Sequence, residues 1–179
     1  TCAESRAYFN QRKRLEVTGY PTRSDLKVIA RAAALAAFNL TAELPVLLVI
    51  GGSKGAHSIN QAVFENLPTL LEQVQVLHVT GSADESAAQV VRNTLPASLT
   101  NRYRPYAYLH EEISAAFSCA SLVVSRAGAS TLGELPLFGL PAILVPYPFA
   151  WRYQKVNAEY LVKHAAAVMI ENSALSSQL

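Results

Sequence analysis

Residues 46–60 read Val46-Leu47-Leu48-Val49-Ile50-Gly51-Gly52-Ser53-Lys54-Gly55-Ala56-His57-Ser58-Ile59-Asn60. Five apolar residues, three of them β-branched, run without polar alternation, which predicts a strand covered on both faces. Two glycines stop it, and an amphipathic stretch over 55–65 predicts a helix directly afterwards. A buried strand, a glycine turn and a helix make one βα step of a parallel sheet. Outward from this stretch the same step recurs. Strands are expected at 74–80, 103–109, 122–125, 142–145 and 167–170, and helices at 24–38, 84–94, 111–119, 131–138 and 153–164. Ser24 or Asp25 is the expected N-cap of the first helix. Strand–helix alternation at this spacing gives an α/β fold: a doubly wound, Rossmann-like parallel sheet with right-handed crossovers.

The chain has 179 residues, 51% of them hydrophobic and 16% charged, with a formal net charge of +2. That composition supports a packed core. Its charge is too small to argue for a nucleic-acid partner. No run of 18 or more apolar residues is present, so no spanning helix is expected. Cys119 lies in an apolar run and reads as a buried thiol, and His78 lies inside a strand and reads as a satisfied core residue. The four histidines do not fall at metal-ligand spacing, and no C-x-x-C occurs. Val17-Thr18-Gly19-Tyr20-Pro21 marks a boundary: residues 1–20 are expected to be the tail of a preceding domain and a linker, and residues 21–179 the α/β domain.

In an open parallel sheet, ligands sit at the carboxyl ends of the strands. Three loops there stand out. Gly51 to Ala56 lets a backbone approach closely and opens a helix whose N-terminus suits a phosphate, with Ser53 adding a hydroxyl. The same loop also reads as a tight turn without a ligand, and its spacing is neither the Walker motif nor G-x-G-x-x-G. Ser125-Arg126-Ala127-Gly128-Ala129-Ser130-Thr131-Leu132-Gly133-Glu134 again joins strand to helix. Glu134 lies three residues past Thr131, which reads as a capping box. Its two carboxylate oxygens equally match the paired hydroxyls of a ribose. Pro146 to Asn157 is an aromatic loop and helix start in which Gln154 and Asn157 share a face. Amides there suit either solvent or the hydroxyls of a sugar.

Together and in this order, these loops resemble the C-terminal domain of the MurG family. The match rests on Gly51 to Ala56 with Asn60, on Ser125 to Thr131 with Glu134, and on Gly139 to Tyr147 with Gln154 and Asn157-Ala158. Thr18 to Arg23 resembles the family's interdomain junction. The resemblance implies the C-terminal half of a GT-B glycosyltransferase, an inverting hexosyltransferase needing neither metal nor cofactor. Its donor would be UDP-N-acetylglucosamine and its acceptor the lipid-linked muramyl-pentapeptide precursor of peptidoglycan. It also implies roles residue by residue. Gly52, Ser53 and Gly55 would hold the diphosphate, with Gly128, Ser130 and Thr131 lining that side. Arg23 and the backbone of Leu109 and His110 would meet the uracil, Glu134 the ribose, and Gln154 and Asn157 the sugar. The catalytic base, the acceptor site and the membrane contact would belong to an N-terminal domain, so this chain alone is expected to transfer nothing. The whole enzyme would work on the cytoplasmic face of the bacterial plasma membrane. Tyr20, Arg152 and Tyr153 depart from the family pattern. Two other readings fit the same pocket: the donor-binding subunit of another GT-B transferase, and a non-catalytic nucleotide-sugar-binding module.

Overall fold

The computed structural model describes residues 6, 9, 14–51, 56–149 and 153–175. Six strands form one parallel sheet: β1 (Val46–Ile50), β2 (Gln75–Val79), β3 (Tyr103–Tyr106), β4 (Leu122–Ser125), β5 (Ala142–Leu144) and β6 (Ala167–Met169). Their spatial order is β3-β2-β1-β4-β5-β6. From β1 the chain winds outward to β3, then returns to lay β4 on the other side of β1. The direction of winding therefore reverses between β1 and β4, which is where such sheets open a crevice at their carboxyl edge.

Side-chain alternation in β1 explains why the strand is apolar throughout. Val46 and Leu48 join the core layer beneath α1 (Arg31–Ala37) and α5 (Ile113–Cys119), whereas Leu47 and Val49 join the opposite layer beneath α2 (His57–Gln73). The remaining helices are α3 (Glu85–Thr94), α4 (Ala97–Thr100), α6 (Thr131–Phe138) and α7 (Tyr153–Lys163), followed by a 3-10 turn at Asn172–Ala174. Among the described residues no helix is long and apolar enough to cross a membrane.

Three sequence expectations are corrected. α2 does not end at Glu65 but runs through Pro68 to Gln73. Ile59, Val63, Leu67 and Leu71, all fully buried, keep one face against the sheet, and burying each is worth about 1.5–3 kcal/mol. That burial outweighs the hydrogen bond proline cannot make. The first helix begins only at Arg31, with Ala30 as N-cap, instead of at Ser24 or Asp25. Residues 24–30 instead run beside α5. The amides of Lys27 and Ile29 donate to the hydroxyls of Ser114 and Ser118, each at 3.1 Å. Two serines one helical turn apart match two alternate amides of an irregular segment. Finally, β3 ends at Tyr106 and not at Leu109.

Two expectations hold. Cys119 is a buried free thiol whose pKa burial pushes up to about 11. His78 is fully buried and fully bonded. Its Nε2 lies 3.0 Å from Asn60 Oδ1 and its Nδ1 lies 3.0 Å from the Tyr103 hydroxyl. Asn60 uses both amide hydrogens, on Thr80 O at 2.8 Å and Asp84 Oδ2 at 2.7 Å. Its Oδ1 is therefore an acceptor, His78 Nε2–H donates to it, and the Tyr103 hydroxyl donates to His78 Nδ1.

Candidate functional site

A cleft of about 800 Å³ opens at the carboxyl ends of β1, β4 and β5. Its floor is Ile50, Val123 and Ser125, and its walls are the loops and helix starts that follow these strands. The first turn of α2 contributes Ala56, His57 and Ser58, the start of α6 contributes Ser130, Thr131 and Glu134, and the loop after β5 contributes Tyr147, Pro148 and Phe149. Two helix N-termini thus open into one cavity, and their dipoles favour an anion.

The capping box read from Thr131 and Glu134 is not formed. Ser130 is the N-cap of α6 and makes no side-chain cap. The Thr131 hydroxyl turns back and donates to Gly128 O at 2.6 Å. With its threonine so engaged, Glu134 is left half-buried on the cleft wall, its carboxylate making no hydrogen bond or ion pair among the described residues. A carboxylate in that setting is free to accept from paired ligand hydroxyls.

The same cleft is lined by Arg126, to which sequence reasoning assigned no role. One guanidinium nitrogen donates to Val145 O at 3.1 Å and Asn172 Oδ1 at 2.8 Å, and the other to Ser58 Oγ at 2.7 Å. The group also sits 5.3 Å above the Tyr147 ring. All of these partners are neutral, and among the described residues no carboxylate pairs with it. Burial lowers its pKa, but an arginine stays charged at any physiological pH. The cleft thus contains a half-buried, uncompensated positive charge. The signal was available: an arginine placed immediately after the buried strand 122–125 must point into the crevice or be solvated away from it.

The structure brings Gly128, Ser130, Thr131, Glu134 and Gln154 together on this one cleft. Gln154 Oε1 accepts the Tyr147 amide at 2.8 Å, which ties the loop after β5 to the start of α7. Asn157 lies off the wall, and its amide donates to Ala127 O at 3.0 Å, fixing the loop after β4 from behind. Arg23 is also off the wall and exposed, forked onto Asp25 through both guanidinium and carboxylate ends. The hydrogen bond and charge of Asp25 raise its pKa, with smaller contributions from Tyr108 and Glu134. Leu109 is buried beneath this region, and the His110 amide donates to Glu112 Oε2 at 3.2 Å. Gly52, Ser53 and Gly55 lie outside the described residues; Gly51 and Ala56, which flank them, line the cleft.

One glycine positions residues 20–22. A methyl group on Gly133 of α6 would stand 2.8 Å from Thr22 Cγ2 and 3.0 Å from Tyr20 O. Only a residue without a side chain allows residues 20–22 to cross α6 this closely, and the crossing brings Arg23 into the field of Glu134.

Known proteins resemble this chain in sequence and fold. Residues 46–179 match the family model described as the glycosyltransferase family 28 C-terminal domain. A UDP-N-acetylglucosamine–N-acetylmuramyl-(pentapeptide) pyrophosphoryl-undecaprenol N-acetylglucosamine transferase from Roseiflexus sp. (strain RS-1) is 44% identical, the match covering 93% of this chain and 41% of the relative. The protein of the same name from Desulforamulus reducens is 39% identical, covering 99% and 49%. Crystalline MurG from Acinetobacter baumannii superposes with a TM-score of 0.69 at 27% identity, over 88% of this chain and 47% of that one. The glycosyltransferase SnogD from Streptomyces nogalater, at 18% identity and a TM-score of 0.62, shares the fold. The chain spans about half the length of the curated relatives it matches. By its matched residues, its sheet and its neighbours, the chain belongs to the glycosyltransferase family 28 C-terminal domain family, among the MurG-type members.

Proposed function

We propose that this chain is the donor-binding half of an inverting glycosyltransferase. The enzyme moves N-acetylglucosamine from UDP-N-acetylglucosamine to the lipid-linked muramyl-pentapeptide precursor of peptidoglycan, at the inner face of the plasma membrane. The observation that carries the reading is a pair of opposite charges, Arg126 and Glu134, on one cleft at the switch point of the sheet, neither in an ion pair among the described residues. A nucleoside diphosphate presents complementary groups, anionic phosphates and a ribose diol. The names of the relatives supply the donor sugar and the acceptor.

In this reading Glu134 accepts from the two ribose hydroxyls, and Arg126 with the N-termini of α2 and α6 receives the diphosphate. Residues 52–55, between β1 and α2, add backbone and Ser53 contacts. Arg23 with the backbone of Leu109 and His110 borders the uracil, and Gln154 reads the sugar. Asn157 acts through the loop it holds. The acceptor oxygen attacks the anomeric carbon as the bond to the diphosphate oxygen breaks. UDP departs with the bonding electrons, and the acceptor proton passes to a base on the other half of the enzyme. Charge grows on the leaving diphosphate during this step, and fixed donors stabilise it without reorganising.

Calorimetric titration with UDP-N-acetylglucosamine, UDP-glucose and UDP tests the reading. The N-acetyl sugar nucleotide is expected to bind better than UDP-glucose. Glu134→Ala is expected to weaken UDP by about 1–3 kcal/mol, the scale of hydrogen bonds to a charged group. Failure of the chain to bind any uridine nucleotide would overturn the proposal, and full UDP affinity in Glu134→Ala would remove the ribose contact.

A further inference from the structure

The edge of the cleft carries a histidine that the donor reading above leaves without a role. His57 is the first residue of α2 and lines the cleft, with its side chain 75% exposed. Its Nδ1 lies 2.8 Å from Asp84 Oδ1, leaving Nε2 without a partner among the described residues. Asp84 is nearly buried, and its second oxygen accepts from Asn60. Asn60 is in turn oriented by Thr80 O and by His78, and His78 by Tyr103. Five side chains thus form one hydrogen-bonded chain whose directions are fixed from the core outward, and its only exposed end is an imidazole on the cleft. Desolvation works against ionised Asp84, but the hydrogen bonds from Asn60 and His57 prevail and lower its pKa. The carboxylate is therefore anionic and accepts the Nδ1–H of His57. It also offsets the dipole at the start of α2, which by itself repels a cation.

We infer that His57 is a further contact for the diphosphate of the donor, held for that purpose by Asp84. This rests on the donor reading of the same cleft and extends it. Nδ1–H is committed to Asp84, so Nε2 is the nitrogen presented to a ligand. A donor at the first turn of α2, next in sequence to the Ser58 that Arg126 holds, meets an anion together with that guanidinium and the helix end. Asp84 acts through His57 as a positioning residue. Asn60 and His78 keep that carboxylate in place.

Titrations of the chain with UDP and with uridine distinguish this from a structural role. Uridine lacks the phosphates, so the contact belongs to UDP alone. His57→Ala is expected to weaken UDP about 10-fold, as loss of a charge-assisted hydrogen bond does, and to leave uridine affinity unchanged. Asp84→Asn is expected to weaken UDP in the same direction. The double variant should bind UDP no worse than His57→Ala, because the two residues act as one unit. His57 is exposed, so the urea midpoint of His57→Ala should match the wild type. Unchanged UDP affinity in His57→Ala, or equal losses for UDP and uridine, would overturn the contact. Additive losses in the double variant would overturn the positioning by Asp84. Failure of the wild type to bind either compound overturns the donor reading itself, and this inference with it. A wild type that binds both with no effect of His57→Ala overturns only the latter.

Discussion

The buried histidine makes chain stability depend on pH in a window that can be worked out beforehand. Burial pushes the pKa of His78 from its ordinary 6.5 down to about 3 in the folded chain, only partly opposed by the charge of Asp84. Its imidazole is held neutral because Nε2–H is given to Asn60 and Nδ1 is filled by the Tyr103 hydroxyl. Below pH 6.5 the unfolded chain binds a proton that the folded chain refuses. Stability therefore falls as pH drops from about 6.5 towards about 3, and is fully retained above that window. At about 1.4 kcal/mol per pH unit, moving from pH 7.5 to pH 5 should remove roughly 2 kcal/mol, or about 4–8 °C of melting temperature for a domain of this size. Asp84 adds nothing in this interval, because its lowered pKa lies below the ordinary 3.8. The measurement is urea denaturation followed by circular dichroism at both pH values, for the wild type and for His78→Gln. Glutamine can still donate to Asn60 but does not titrate. It should be less stable than wild type at pH 7.5 by about 1–3 kcal/mol, the penalty for disturbing a buried hydrogen bond. At pH 5 that gap should narrow by roughly 2 kcal/mol. All other titrating groups are common to both chains, so a gap that does not change with pH would refute the assignment of the effect to His78.

Two further substitutions probe the cleft. Arg126→Met should lower stability by about 2–3 kcal/mol, because the three segments tied by the guanidinium lose their shared donor. It should also weaken UDP more than uridine, while Arg126→Lys should recover part of the UDP affinity but little of the melting temperature, since an ammonium cannot span the three acceptors. Equal melting temperatures for Lys and Arg at 126 would show that the tie contributes nothing. Gly133→Ala gains about 1 kcal/mol of helix propensity but drives a methyl group against Thr22 and Tyr20 O. Residues 20–22 are at most half-buried and can shift, so the melting temperature should change by less than about 4 °C. UDP affinity should fall several-fold as Arg23 moves away, and unchanged affinity would take Arg23 out of the site.

The sheet was legible because its signals are local. Short apolar or aromatic runs marked the six strands, the first two ended by glycine, and β1 and β4 fall at their expected limits, 46–50 and 122–125. The failures came where a distant element overrode a local preference. Nothing within residues 24–30 announces that their amides will be satisfied by Ser114 and Ser118, some 87–89 positions away. Likewise, Pro68 is a local reason to stop α2, and only the sheet that buries Leu67 and Leu71 explains why it continues.

The site was legible as loops but not as chemistry, and the reason is the same. Ser130, Thr131, Glu134 and Gln154 could be placed on one cleft edge because each follows a strand end. Whether Thr131 and Glu134 form a capping box depends on where the Thr131 hydroxyl turns, and it turns to Gly128 O at 2.6 Å. Arg126 shows the point most clearly. Its acceptors lie on Ser58, Val145 and Asn172, in three separate segments, and no spacing rule connects them. Once the sheet brings the segments together, the arginine that follows β4 becomes the tie to the segments that follow β1, β5 and β6. Because those acceptors are all neutral, the tie leaves its charge unbalanced. The device that fixes the shape of the cleft therefore also sets its potential, so a ligand that completes the site must bring negative charge to the place where the loops meet.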